Sequence, residues 1–218
     1  MLKKVLGVVA GLVLLLVIII ATRPDSFRVE RKATINASPE IVFAQINDFH
    51  NWANWSPWDK LDPAQKVEFT GAPSGTGAAY SWAGNDKVGT GAMTITDSKS
   101  PSRVEIKLEF KTPFEATNQT VFDLKPAGAG TEVVWSMEGK NNFMAKAMSL
   151  AMNMDQMVGG DFEKGLEAMK STAEGEAKKA ADIAKLQAEA DAKAKADAEA
   201  AAAAAATVDA GAPAAPGK

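Results

Sequence analysis

The chain has 218 residues, a net charge of −3, one His and no Cys. At roughly 100–200 residues per domain, that length leaves room for one globular domain plus appendages. Weak net acidity offers no basic face to displace phosphate counterions and argues against a nucleic-acid partner; the lack of Cys removes disulfides, thiolate nucleophiles and cysteine-ligated zinc.

Residues 1–4 form a charged N-terminus, in which Lys3 and Lys4 precede an apolar run from Val5 to Ala21. The segment 5–22 approaches the ~20 residues that span ~30 Å of hydrocarbon. A cleaved signal peptide would have a shorter apolar core and a small-x-small site. Here Ile19 stands two residues before Ala21, so an uncleaved anchor is expected. Lys3 and Lys4 favour a cytoplasmic N-terminus, but Arg23, Arg28, Arg31 and Lys32 crowd the other end, so the charges alone do not orient the span. The usual signal-anchor arrangement puts the rest of the chain on the periplasmic side of a bacterial inner membrane. Gly7 and Gly11 form a small-xxx-small pair through which two anchors can associate as a weak homodimer.

From 27 to 172 the pattern predicts an α+β domain. Residues 27–35 read as a strand, with Phe27, Val29, Ala33 and Ile35 on one parity; Arg31 shares it, which places this strand at a sheet edge with Arg31 near the rim. Ser38-Pro39-Glu40 opens a helix as cap, first helical residue and dipole partner. Pro57 and Pro63 forbid a long continuation, so 51–60 is a short turn or second helix. Strands follow at 66–70, 77–83, 89–98, 103–111, 114–125 and 131–139, divided by Gly, Pro, Asn and Asp. Alternation is clearest where Val104, Ile106, Leu108 and Phe110 interleave with Arg103, Glu105, Lys107 and Glu109. A helix from about Asn142 to Lys170 carries Ala147, Ala151, Met154, Val158, Phe162 and Met169 at helical spacing, with Gly159-Gly160 as a kink or close-approach point. Residues 173–218 are a low-complexity tail rich in Ala, Lys and Glu, expected to be helical over 176–206 and disordered from Gly211 to Lys218.

Three stretches carry a family resemblance. Ile35-Asn36-Ala37-Ser38-Pro39-Glu40-Ile41-Val42-Phe43 resembles the first strand-to-helix turn of the polyketide cyclase/dehydrase and lipid-transport family, within the START-like (SRPBCC) superfamily. Asp48 to Trp58 is similar to its Trp- and Pro-containing second-helix segment. Met154 to Leu166 is similar to the C-terminal helix of bacterial members. The resemblance covers 27–172 and implies a helix-grip fold, in which a curved antiparallel sheet wraps a long C-terminal helix and encloses an elongated apolar cavity.

Within that fold, parity nominates the cavity wall: Tyr80, Trp82, Met93, Ile95, Ile106, Leu108, Phe110, Phe122, Trp135 and Met137 from the sheet, and Ala151, Met154 and Val158 from the helix. Asn118 and Thr120 share the parity of Phe122 and are the polar exceptions inside. Such a wall, mostly apolar with a few placed polar groups, suits a hydrophobic small molecule or lipid. The cluster Met144, Met148, Met152, Met154 and Met157 is either an adaptable ligand wall or ordinary core filling with surface contacts. Trp52, Trp55 and Trp58 either form a lip facing the membrane or a pocket gate, or pack a helix hairpin onto the sheet.

No catalytic constellation is recognisable. His50 is the natural proton carrier near neutral pH, yet no partner spacing accompanies it, and Asp48, Tyr80 and Asn118 could each polarise a carbonyl without being singled out. No metal set, phosphate loop or nucleophile elbow is present, and no cofactor is implied. The expected function is therefore a membrane-anchored binding protein acting as carrier, sensor or chaperone. A cyclase- or dehydrase-like enzyme using Tyr80, His50 or Asn118 is the first alternative, and an envelope scaffold reaching out through its Ala-rich tail the second.

Overall fold

Strict alternation along the strands resolves into one antiparallel sheet. A computed structural model describes residues 1–209. In chain order they form α1 (Leu2–Ala21), β1 (Ser26–Ile35), α2 (Pro39–Asn47), a 3₁₀ turn (Phe49–Asn54), β2 (Lys66–Gly71), β3 (Ala78–Ala83), β4 (Thr90–Lys99), β5 (Arg103–Thr112), β6 (Ala116–Ala127), β7 (Gly130–Lys140), α3 (Phe143–Met148) and α4 (Met154–Asp209). The sheet order is β1-β7-β6-β5-β4-β3-β2, so the first strand closes onto the last and both ends of the order are edges. Two register shifts in β4, at Thr90/Gly91 and Ile95/Asp97, mark where the pairing bends, as bulges do.

α1 has a mean hydropathy of 2.9 and is long and apolar enough to cross a membrane. α2 lies against β5, β6 and β7 and buries Val42, Phe43 and Ile46. Ser38 stands at its N-cap without a capping hydrogen bond; its hydroxyl serves the Glu40 carboxylate instead, helping the helix-end backbone to hold that acid below its ordinary range. The far end of α2 is closed by two indoles. Trp52 Nε1 donates to Ile46 O at 3.0 Å and Trp55 Nε1 to Gln45 O at 2.9 Å, satisfying carbonyls that a helix end leaves open.

The helix expected from Asn142 onward is two helices. Asn142 caps α3 by accepting from Ala145 N, and Asn153 caps α4 by accepting from the backbone N–H groups of Asp155 and Gln156. Two Asn caps in one apolar stretch restart the helix. The inner stripe of α4 accordingly begins later than expected, at Phe162, Leu166, Met169 and Ala173, all buried. α4 runs on without interruption through Gly159-Gly160. The chain divides into two units, Met1–Gly175 and the part from Glu176 onward; in the latter Ile183 and Leu186 are exposed. The disorder expected at 211–218 falls outside the described residues.

β1 is an edge strand, as Arg31 suggested, but that side chain is not left at a rim. Its guanidinium reaches α4, 2.9 Å from Asp155 and 2.6 Å from Glu163, and the hydrogen bonds to Asp155 and then Glu163 hold it firmly protonated. It occupies the space over Gly159, where a Cβ would overlap it. Gly159 is thus a close-approach point.

Two other glycines of α4 make opposite predictions. A Cβ on Gly160 would meet nothing within 4 Å, so Gly160→Ala should stabilise by roughly 0.5–1 kcal/mol through helix propensity. A Cβ on Gly165 would lie 2.8 Å from Trp135 and 3.3 Å from Pro57. Gly165→Ala should therefore cost a net 1–2 kcal/mol or so, because strain of roughly 1–3 kcal/mol exceeds the propensity gain. Thermal melts of the two variants, moving in opposite directions, check both.

Candidate functional site

Along each inner-facing strand the side chains pass from core to cavity. On β5, Val104 and Ile106 are fully buried, whereas Leu108 and Phe110 are half-buried. On β6, Phe122 and Leu124 belong to the core, and Thr120 is the inward residue that borders the cavity. α2 and the 3₁₀ turn fill one half of the concave face, and the other half retains a cavity of about 220 Å³. For scale, a cavity of about 150 Å³ holds benzene, while drug-sized ligands use pockets of roughly 300–1,000 Å³. The space therefore fits a compact hydrophobe or one stretch of acyl chain.

Of the residues nominated by parity, Tyr80, Trp82, Met93, Leu108, Phe110, Thr120, Trp135, Met137 and Val158 border the cavity. Ile95, Ile106 and Phe122 face the same way but are packed into the core, at 1 % exposure or less. Parity fixes the face of a strand and says nothing about position along it. Asn118 is buried beside the cavity wall, with its Nδ2 3.7 Å from Met137 Sδ, and does not border the space. Ala151 and Met154 are corrections: both are exposed, because α4 begins only at Met154 and its first turn lies outside the grip.

The remaining wall comes mostly from loop segments with no periodicity to read, together with α4, whose Phe162 is on the apolar stripe read from the sequence. Trp52, Ser56, Trp58, Asp59 and Gln65 enter from the 3₁₀ turn and the loop after it, Lys87 and Val88 from the β3–β4 connection, and Asp161 and Phe162 from α4. The Trp segment packs onto the sheet, with Trp52 and Trp55 buried. Trp135 is the centre of this aromatic cluster. Its ring stacks on Phe162 at 3.9 Å and 8°, lies over Phe122 at 4.9 Å, and receives Trp55 and Trp58 edge-on. Gly91 makes room for the neighbouring Trp82, whose ring occupies the place of a Cβ there and whose Nε1 donates to Val88 O at 3.0 Å.

The polar groups of the residues that border the cavity have distinct states. Trp135 Nε1 and Thr120 Oγ1 are buried with no protein hydrogen-bond partner. Burial pushes the Asp59 carboxyl above its ordinary range, against a hydrogen bond from Gln65 Nε2 at 3.1 Å. Burial, and then the charge of Asp59, push the Tyr80 phenol up to about 12, so it stays a neutral donor through the physiological range. A folded-state pKa above the unfolded one means that the native state holds the Asp59 proton longer. Its contribution to stability is complete below the ordinary carboxylate range and is lost as pH rises through the raised value. Melting temperature should therefore fall less steeply across that window in Asp59→Asn than in the parent, and parallel pH series of both proteins measure the difference.

The candidate acid–base residues do not converge. His50 lies outside the cavity wall, its ring stacked on Phe69 at 4.1 Å and its Nδ1 2.7 Å from Asp48 Oδ1. Asp48 also accepts from His50 N and caps the 3₁₀ turn. Among these candidates Tyr80 alone borders the cavity.

A curved antiparallel sheet closed over a helix, with an apolar cavity between, defines a helix-grip protein of the ligand-enclosing class. The family described as polyketide cyclase/dehydrase and lipid transport matches residues 26–174, and the chain belongs to that family. Solved structures share the fold at low identity. Protein CV1439 from Chromobacterium violaceum has a TM-score of 0.50 at 15% identity, over 70% of this chain and 99% of its own. The Aha1 dimer from Colwellia psychrerythraea has a TM-score of 0.50 at 13% identity, over 68% and 96%. SA2116, a protein of unknown function from Staphylococcus aureus, has a TM-score of 0.50 at 14% identity, over 69% and 95%. No curated protein matches the chain.

Proposed function

We propose that this protein is a single-pass, membrane-anchored binding protein for a small hydrophobic molecule that carries a hydrogen-bond acceptor, serving as carrier, sensor or chaperone. The observation that carries the reading is the 220 Å³ apolar cavity whose bordering residues Thr120 and Trp135 hold buried polar atoms without protein partners. A buried polar group left unpaired costs on the order of 1–3 kcal/mol. A ligand carbonyl, carboxylate or ether oxygen would recover part of that cost, and the apolar wall would take the rest of the molecule. The volume disfavours a whole two-chain phospholipid. α1 is the anchor in this reading, with the domain on the periplasmic side of a bacterial inner membrane. Open space beside Gly7 and Gly11 leaves that face of α1 free for weak pairing of two anchors.

Native mass spectrometry of the full chain extracted in mild detergent tests the proposal. A co-purifying hydrophobe of a few hundred daltons or so, consistent with pocket-sized ligands, supports it. Protein that is empty as isolated, and whose melting temperature is unmoved by fatty acids, quinones and aromatic ketides, would overturn it.

Cyclase or dehydrase chemistry is the second reading. It is favoured by Asp59 and Tyr80 sharing one cavity, both with the neutral form stabilised by burial. A phenol can donate to a substrate carbonyl, and a neighbouring carboxyl can exchange a proton with it. Turnover of a ketide by the parent protein and its loss in both Tyr80→Phe and Asp59→Asn would establish this reading, and turnover unchanged in both variants would remove it.

A further inference from the structure

The segment between the sheet and the core part of α4 is unlike the rest of the domain surface. Seven of the large apolar side chains from 143 to 157 are exposed, among them Phe143, Met144, Met148, Leu150 and Met152. Outside this segment, residues 1–21 and the tail, the described residues expose four more: Leu61, Val67, Phe69 and Phe114. A surface patch of this density marks an interaction site.

Its position identifies the partner. Ser26 pairs with Lys140, Asn118 with Gly139, and Ala116 with Phe110. The start of β1, the end of β7 and the β5–β6 hairpin bearing Phe114 therefore share one end of the sheet, the end from which α1 departs. The patch is tied to the last turn of α1. Arg23 Nε donates to Ser149 Oγ at 3.2 Å, Lys146 Nζ to Ala21 O at 3.5 Å, and Lys146 also pairs with Asp25. Asn141 completes the joint through Pro24 O and Asp25 O. The apolar surface of the patch thus continues the exposed apolar surface of α1, and the exposed Arg23 stands where a cationic side chain reaches headgroups.

We infer that residues 143–157, with Phe114, form an apolar foot that inserts into the headgroup–acyl boundary of the bilayer holding α1. An amphipathic surface of this kind buries its apolar side chains ~5–10 Å deep, and methionines adapt to disordered chains as readily as to a core. The cavity residues Lys87 and Phe110 lie toward the same end, because β3 and β5 finish where β4 begins. A hydrophobe would therefore pass between bilayer and cavity without crossing bulk water. The inference rests on α1 being a membrane span, and its test separates the two.

The chain lacks Cys, so single spin labels can be placed freely in the full-length protein, reconstituted in vesicles of phosphatidylcholine and phosphatidylglycerol. Labels at Met148→Cys and Met152→Cys report on the foot, Leu12→Cys on the span, and Lys125→Cys on the far end of the sheet. The expected result is oxygen collision several-fold above that of a water-soluble nickel chelate at 148 and 152, greater still at 12, and the reverse at 125. Aqueous behaviour at 148 and 152 with a lipid signature at 12 overturns the foot and leaves the anchor standing. An aqueous signature at 12 overturns both. Dipolar broadening at 148 that disappears on dilution with unlabelled protein, without lipid contact, assigns the patch to a second copy and also overturns the foot.

Discussion

Trp135→Ala is expected to unfold much of the domain at temperatures where the parent is stable, with a loss of about 3–5 kcal/mol. The indole is 2 % exposed and is the common neighbour of Phe122, Phe162, Trp55 and Trp58. Through Phe162 it bonds the sheet to α4, and through Trp55 it bonds the sheet to the turn that closes α2. Removing it leaves a void that none of these rings can fill, since each is fixed on its other side. In a domain of this size the loss corresponds to a fall in melting temperature of roughly 6–20 °C, at about 2–4 °C per kcal/mol. Trp135→Phe should lose much less, because the stack on Phe162 persists and the unpaired N–H disappears. Thermal denaturation of the three proteins orders them as parent, Phe and Ala or as Phe, parent and Ala. Either order with Ala far below the others supports the keystone role, whereas an Ala variant within about 1 kcal/mol of the parent, the ordinary surface range, removes it.

The strands were legible because their physics is local. One buried and one wet face impose a period of two on residues such as Val104 to Phe110, and their turns carry Gly, Pro, Asn and Asp. The cavity was legible only in part. Parity identified Tyr80, Leu108 and Trp135 as inward, yet it also brought in Ile95, Ile106 and Phe122, because how far α2 and the 3₁₀ turn extend over the sheet is a tertiary fact. Asp59, Gln65 and Lys87 sit in loops that reach the cavity through chain path alone, and no spacing announces them. Helical periodicity misled at 147–154, where apolar residues at the right interval face outward in a segment broken by Ser149 to Asn153. Their exposure against the end of α1 supplies another reason for being apolar, a lipid surface in place of a core. Arg31 taught the opposite lesson: an inward charge on a strand was a sign of a partner, and Asp155 and Glu163 on α4 supply it.

Thr120→Val should make the empty protein more stable and the occupied protein weaker in its grip, and this divergence is the sharpest test of a ligand acceptor. Thr120 is 5 % exposed and its hydroxyl has no protein partner. Valine has nearly the same shape, so the exchange removes an unpaired polar group without opening a void. Relieving that penalty should raise stability by about 1 kcal/mol or more. If the hydroxyl instead donates to a ligand oxygen, the variant loses that bond, worth about 0.5–1.5 kcal/mol for a neutral pair, which is up to roughly a tenfold weaker affinity. A cavity that takes only hydrocarbon predicts otherwise: Thr120→Val would then raise stability and affinity together, since the wall becomes more apolar. Melting temperature of the delipidated protein and titration with the ligand recovered from the native preparation give the two quantities independently. Opposite signs place an acceptor at Thr120, and equal signs make the site purely apolar. Trp135→Phe extends the argument to the second unpaired donor. A loss of affinity in both single variants that is no larger in the double variant would mean that one ligand oxygen is shared by Thr120 and Trp135, which sit diagonally across the β6–β7 pair.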